Sequence, residues 1–194
     1  MQKLTRKDLW SLEDYAQKRD TFRQQVMAHK QNRSLQIGSH LRLLFEDRMT
    51  MQYQVQEMLR AERIFEVEGI QDELDTYNEL IPDGGNWKAT LLIEYEDIAE
   101  RQKALAQLIG IEDKVWVQVV GQDKVYAIAD EDMQRERADK TSAVHFLRFE
   151  LTPEMVKALK SGAKLTAGVD HAGYNPIIEP VSEVATKALL QDLD

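Results

Sequence analysis

Residues 82–85, Pro82-Asp83-Gly84-Gly85, are the strongest turn signal in the chain, and they separate two hydrophobic patterns. Before them, apolar residues recur mainly at the three- and four-residue spacing of helices. After them, short apolar or alternating runs bounded by glycine and proline indicate strands. Helices followed by strands with only short helical crossovers imply an α+β fold, with N-terminal helices packed on a mixed, largely antiparallel sheet with short helices. A chain of 194 residues fits a single domain, 1–194, with a mainly helical half over 1–82 and a sheet-rich half over 83–194.

Upstream of the turn, FEDRMTMQYQVQEMLRAERIF (45–65) has no glycine or proline, and a helix is expected over 49–65. It places Met51, Val55, Met58, Leu59 and Phe65 on one stripe, expected to fasten the helices to the sheet. Gln52, Gln56, Arg60 and Arg63 line another flank, beside Glu57 and Glu62. Amide and guanidinium groups suit recognition, so Gln56, Glu57 and Arg60 are the candidate ligand-binding residues; a solvated or inter-helix face is the competing reading. Residues 4–33 also read as helical, entered through Thr5 with Asp8 or Ser11 with Asp14, in one piece or two with a joint near Asp20. His40 to Asp47 alternates as a strand, Gly69 predicts a break or kink, and residues 70–81 continue as a helix.

Downstream, strands are expected over 89–95, 115–120, 124–129, 142–151 and 164–171, with a hairpin at Gly121-Gln122-Asp123. Helices are expected over 98–109, after Pro153 and over 182–193. The order at 89–129 is compatible with a ferredoxin-like half. Asp130 to Lys140 reads as a loop or an exposed helical turn.

The net charge of −9 disfavours nucleic acid and anionic membrane, both of which call for a basic footprint. With no cysteine, thiol catalysis, zinc–thiolate sites and an iron–sulfur cluster on the chain's own cysteines are excluded. The start, MQKLTRKDLW, lacks the apolar core of a signal peptide, and no apolar run reaches membrane-spanning length. The expectation is a cytoplasmic protein, with a homodimer as the ordinary prior.

Phosphate-loop, dinucleotide, G-x-S-x-G and H-E-x-x-H signatures are absent, and His29 follows Val26 rather than the glutamate of a di-iron motif. Histidines and carboxylates remain. His145 sits among Ala143, Leu147 and Phe149 on one strand face, and His171 ends a strand bearing Leu165, Ala167 and Val169. Antiparallel pairing of those strands would bring His145 and His171 together with Asp170, near Glu150 and Tyr174, as a shell for iron, manganese or zinc. Hydrogen-bonded core histidines are the alternative; His40 carries the same two readings, and Trp87 is a lid or a core plug.

Taken together, HLRLLFEDRMTMQYQVQEMLRAERI, ELDTYNELIPDGGNWKATLLIEY, KTSAVHFLRFELT and VDHAGY resemble a bacterial family known only as a domain of unknown function, over nearly the whole chain. The resemblance implies a setting near rubrerythrin-like proteins and iron–sulfur oxidoreductases, beside which such genes are often encoded. It brings no catalytic residues. The implied role is an accessory or binding protein of a redox or oxidative-stress system, with an iron–sulfur oxidoreductase or rubrerythrin-like partner. The alternative is a metal-dependent enzyme using His145, His171 and a nearby carboxylate.

Overall fold

The computed structural model describes residues 2–129 and 140–194. Of the charged stretch expected to be a loop or helical turn, residues 130–139 lie outside that description. The fold is α+β, built from helices and two antiparallel sheets. The first sheet has the order β1-β2-β3-β7-β6, from β1 (Ser34–Ile37), β2 (Leu41–Glu46), β3 (Asn86–Ile93), β6 (Ile128–Ala129) and β7 (Val144–Glu150). The second has the order β5-β4-β8-β9, from β4 (Val115–Val119), β5 (Lys124–Tyr126), β8 (Leu165–Val169) and β9 (Ile177–Ile178). The ferredoxin-like expectation is thereby corrected, because β3 and β4 belong to different sheets.

Alternation explains the first sheet. Leu41, Leu43 and Phe45, then Ala89, Leu91 and Ile93, then Leu147 and Phe149 turn inward, while Arg42, Leu44, Thr90 and Leu92 turn outward. These inward residues form one apolar core with Val115, Val117, Ala167 and Val169 of the second sheet. The segment read as one strand over 124–129 is two. Between β5 and β6 the chain leaves one sheet for the other at Ala127, whose N–H donates to Val115 O at 2.9 Å. The strand β1, which the sequence pattern does not reveal, is only four residues long. It turns back into β2 through Gly38 at φ +67°, a left-handed conformation that glycine adopts freely.

The helices keep cores of their own. The helix α1 (Leu12–Gln31) is continuous through Asp20, starts at Ser11, whose Oγ accepts from Asp14 N, and buries Tyr15, Phe22 and Val26. Thr5 and Asp8 make the expected reciprocal cap one turn earlier. Asp47 caps α2 (Arg48–Glu62), its carboxylate accepting from Met49 N and Thr50 N. The stripe Met51, Val55 and Leu59 packs on Leu4, Leu74 and Ile81, so it binds α2 to α3 (Val67–Asn78) and the N-terminus. That corrects its expected attachment to the sheet. The break after α2 falls at Arg63, in the left-handed region at φ 56°, and leaves Phe65 exposed. Gly69 lies inside α3, where a Cβ would stand 2.8 Å from Ile64 Cγ2; its bareness allows close packing rather than a break.

Three further helices lie among the described residues: α4 (Ile98–Gln107), α5 (Pro153–Lys160) and α6 (Glu183–Leu189), the last followed by a 3-10 turn over Leu190–Asp192. Among the described residues no helix is long and apolar enough to cross a membrane.

Candidate functional site

On the polar flank of α2 the glutamines meet the segment that leads into α1, Glu57 meets α1 itself, and Arg60 and Arg63 stay exposed. Gln56 is fully buried and clamps the backbone of Trp10, its Oε1 accepting from Trp10 N at 2.7 Å and its Nε2 donating to Trp10 O at 3.4 Å. Gln52 Nε2 similarly donates to Asp8 O at 2.7 Å. Arg19 donates to both oxygens of Glu57 at 2.7 Å, and Tyr15 OH donates to Oε1 at 2.7 Å. The guanidinium holds the Glu57 carboxyl below its usual range, while burial and then Glu57 push the Tyr15 phenol up. Only Arg60 of the expected trio is exposed. The exposed recognition strip is thus corrected to an inter-helix seam, because buried amides and carboxylates here have backbone and side-chain partners to satisfy.

The two strand histidines do not pair. Their strands were expected to be neighbours, but β7 pairs with β3 and β6, and β8 pairs with β4 and β9. The imidazole of His145 is fully buried, with Nε2 3.0 Å from Ser142 O and 2.9 Å from Thr141 Oγ1; that hydroxyl donates to Glu112 Oε2 at 3.1 Å. A carbonyl only accepts, so Nε2 carries the hydrogen and has no lone pair for a metal. In His171, Nδ1 accepts from Gly173 N at 3.1 Å and Nε2 donates to Ile109 O at 3.2 Å. Asp170 accepts from Trp116 Nε1 at 3.0 Å, Lys124 Nζ at 2.7 Å and Tyr126 OH at 2.6 Å. Lys124 and then Tyr126 hold its carboxyl below the usual range. These donor sets do not fit a metal ion as arranged, and no three His, Asp or Glu side chains among the described residues converge on one. Glu150 bonds to Asn86 and Arg148 at the far end of β7, and Trp87 is a core plug whose Nε1 donates to Leu189 O at 3.0 Å.

A better-formed site surrounds His40. Its ring stacks on Tyr95 with centroids 3.9 Å apart and planes 8° from parallel. Its Nδ1 lies 3.1 Å from Glu94 O, so Nδ1 bears the hydrogen and Nε2 keeps its lone pair in the neutral ring. The backbone is anchored as well: His40 N donates to Tyr174 OH at 2.9 Å, and that hydroxyl donates to Ile37 O at 2.8 Å. Gly38 makes room, since a Cβ there would fall 2.4 Å from the Tyr174 hydroxyl. This clasp gives the VDHAGY turn a structural role.

The ring opens on a cleft of about 720 Å³, between the outer face of the first sheet and the start of α4, lined by Arg42, Tyr95, Glu96, Glu100 and Arg101. That size suits a small molecule. Arg42 Nη2 pairs with Glu94 Oε2 at 3.0 Å, yet its buried Nε has no hydrogen-bond partner among the described residues. Burial, then the nearby Tyr174 and Glu100, raise the Tyr95 phenol above its ordinary value. The sequence carried a weak signal for this site in the histidine and arginine flanking the strand start, HLRL. The aromatic partner Tyr95 was not identifiable, because its stacking depends on β2 and β3 lying side by side.

Comparisons extend the picture without adding an activity. A crystal structure of a novel protein of unknown function from Burkholderia pseudomallei K96243 is similar over 100% of both chains, with 52% sequence identity and a TM-score of 0.94. No curated protein matches the chain. The model of a family described as protein of unknown function, DUF3501, matches residues 3–193, and this chain belongs to that family.

Proposed function

We propose that the protein is a binding protein whose ligand seats in the His40–Arg42 cleft. The observation that carries this reading is an oriented imidazole and a guanidinium lining one pocket. The Nε2 of His40 is fixed in direction and has no hydrogen-bond partner among the described residues, and the Arg42 side chain is 43% exposed beside it. A hydrogen bond to a charged group such as this guanidinium contributes roughly 1.5–3 kcal/mol. The matching ligand is a small polar molecule with a carboxylate or carbonyl oxygen for Arg42 and a hydroxyl or amine for His40. Hydroxy- and amino-carboxylates meet both demands.

The test is a titration of the full chain with a panel of such acids, followed through backbone amide signals. Saturable shifts are expected at His40, Arg42 and Tyr95, and both His40→Ala and Arg42→Ala should abolish them while leaving the thermal midpoint nearly unchanged. Shifts that survive both substitutions would remove the cleft as the site.

The redox or oxidative-stress setting implied by the family resemblance belongs to the same proposal. In it, the chain acts in the cytoplasm as an accessory, and an iron–sulfur oxidoreductase or rubrerythrin-like partner carries the electrons. The lack of cysteine supports that division, because a cluster would rest on the partner's thiolates. Tagged protein captured from its native host should bring down such a partner. Repeated capture of none counts against the setting and leaves the cleft reading standing.

A further inference from the structure

Four ionisable side chains meet where the helical half, the first sheet and the C-terminal segment join. Arg33, just past α1, is 1% exposed. Its guanidinium donates to Phe45 O at 3.1 Å, Ala188 O at 3.0 Å and Glu46 O at 3.3 Å, and makes a further bond to the Asp192 carboxylate. The Oδ2 of Asp47 lies 3.5 Å from Arg33 Nε and 2.5 Å from His29 Nε2. The Oδ1 of Asp192 is buried and unpartnered among the described residues. Glu46 also belongs to this corner; its Oε1 accepts from Thr90 Oγ1 at 2.7 Å, and Lys88 stands opposite it across the strands.

The charge count is uneven. One guanidinium faces the two carboxylates of Asp47 and Asp192, leaving one negative charge in excess when the imidazole is neutral. Burying net charge is costly, and a proton on Asp192 removes it. The same corner holds the chain's end. Arg33 grips Ala188 and Asp192, Trp87 Nε1 donates to Leu189 O at 3.0 Å, and Asp194 N donates to Gly84 O at 3.0 Å.

We propose that this junction is a proton-loaded latch, in which a proton on Asp192, set against Arg33 and the His29–Asp47 pair, keeps residues 182–194 docked and its loss loosens them. The inference is independent of the cleft. Burial pushes the Asp192 carboxyl up to about 6 from 3.8, with Arg33 opposing and Asp47 reinforcing the rise. A carboxyl raised in this way favours the docked state fully below its unfolded value, and the contribution is lost as pH rises through about 6.

The test is hydrogen exchange on the full chain between pH 5 and 7.5, expressed as protection factors. The Trp87 indole N–H and the Asp194 amide should lose about tenfold protection across that range, since pH 5 lies about one pH unit below the docked-state value and each such unit changes the docked-to-loosened ratio about tenfold. The Leu43 and Leu91 amides should hold theirs. In Asp192→Asn, Arg33 keeps Asp47 as counter-charge and the pH dependence should flatten. Asp47→Asn can still cap α2 but removes the carboxylate charge that reinforces the rise at Asp192, so its transition should move to lower pH. Protection of the Trp87 indole that ignores pH would overturn the latch, as would equal losses at Leu91. If Asp192→Asn fails to fold, an unmoved transition in Asp47→Asn overturns it as well.

Discussion

The paired sheets and the helical half are held together by different physics. Between the sheets, Phe45, Trp87, Leu91, Val117 and Phe149 belong to one continuous apolar core, and the Phe45 and Trp87 rings meet edge to face at 5.9 Å. Among the helices, apolar contact is divided into two small clusters, and polar groups fill the seam between them: Gln56 on Trp10, and Glu57 on Arg19 and Tyr15. Apolar burial is non-directional and tolerates small shifts, whereas a buried amide or carboxylate works in one geometry. The helical half is therefore the more exacting region and the more easily opened one.

The comparison breaks most sharply at Trp87. Trp87→Ala should cost about 3–5 kcal/mol, the usual range for a large core aromatic, and lower denaturant stability for both halves together. Loss confined to the sheets would show that the halves unfold separately. Next is Leu59, buried in the smaller α2–α3 cluster. Leu59→Ala should cost about 2–3 kcal/mol, the low end for leucine, because a peripheral cluster collapses around the gap more readily. Exchange protection should drop across α2 and α3 while β3 and β7 keep theirs; a uniform drop would deny the helices a unit of their own. Gln56→Ala strands the Trp10 amide and should cost about 1–2 kcal/mol, read as a lower thermal midpoint.

The smallest effect is a pH dependence. Glu57 has a folded value below its unfolded one, so its contribution is present above about pH 4.5 and is lost as pH falls through the lower folded value. Glu57→Gln should flatten that part of the acid-stability curve. An unchanged curve would mean that the seam's charges are electrostatically idle, and that its geometry alone matters.

The elements were legible because their signals are local. The caps at Ser11 and Thr5, the hairpin at Gly121 and the helix start at Pro153 each rest on a few adjacent residues, and the structure has all of them. Partnerships were not legible. His145 and His171 look alike in sequence, two imidazoles on apolar strand faces, yet their strands sit in different sheets. Gln56 and Arg60 are one turn apart on a polar flank, and only the position of α1 decides that the first is buried and the second exposed. The cleft was half visible for the same reason. His40 could be noticed, but Tyr95 is 55 positions away in sequence.

The passage of the chain from β5 to β6 at Ala127 gives the two sheets a shared thread. Sheets that merely stack can slide over each other; sheets joined by a strand that changes sides can slide only if that strand bends. Ala127 is thus a short tether between the sheets, and with the Tyr174 clasp on Ile37 and His40 it would have to give in any relative motion.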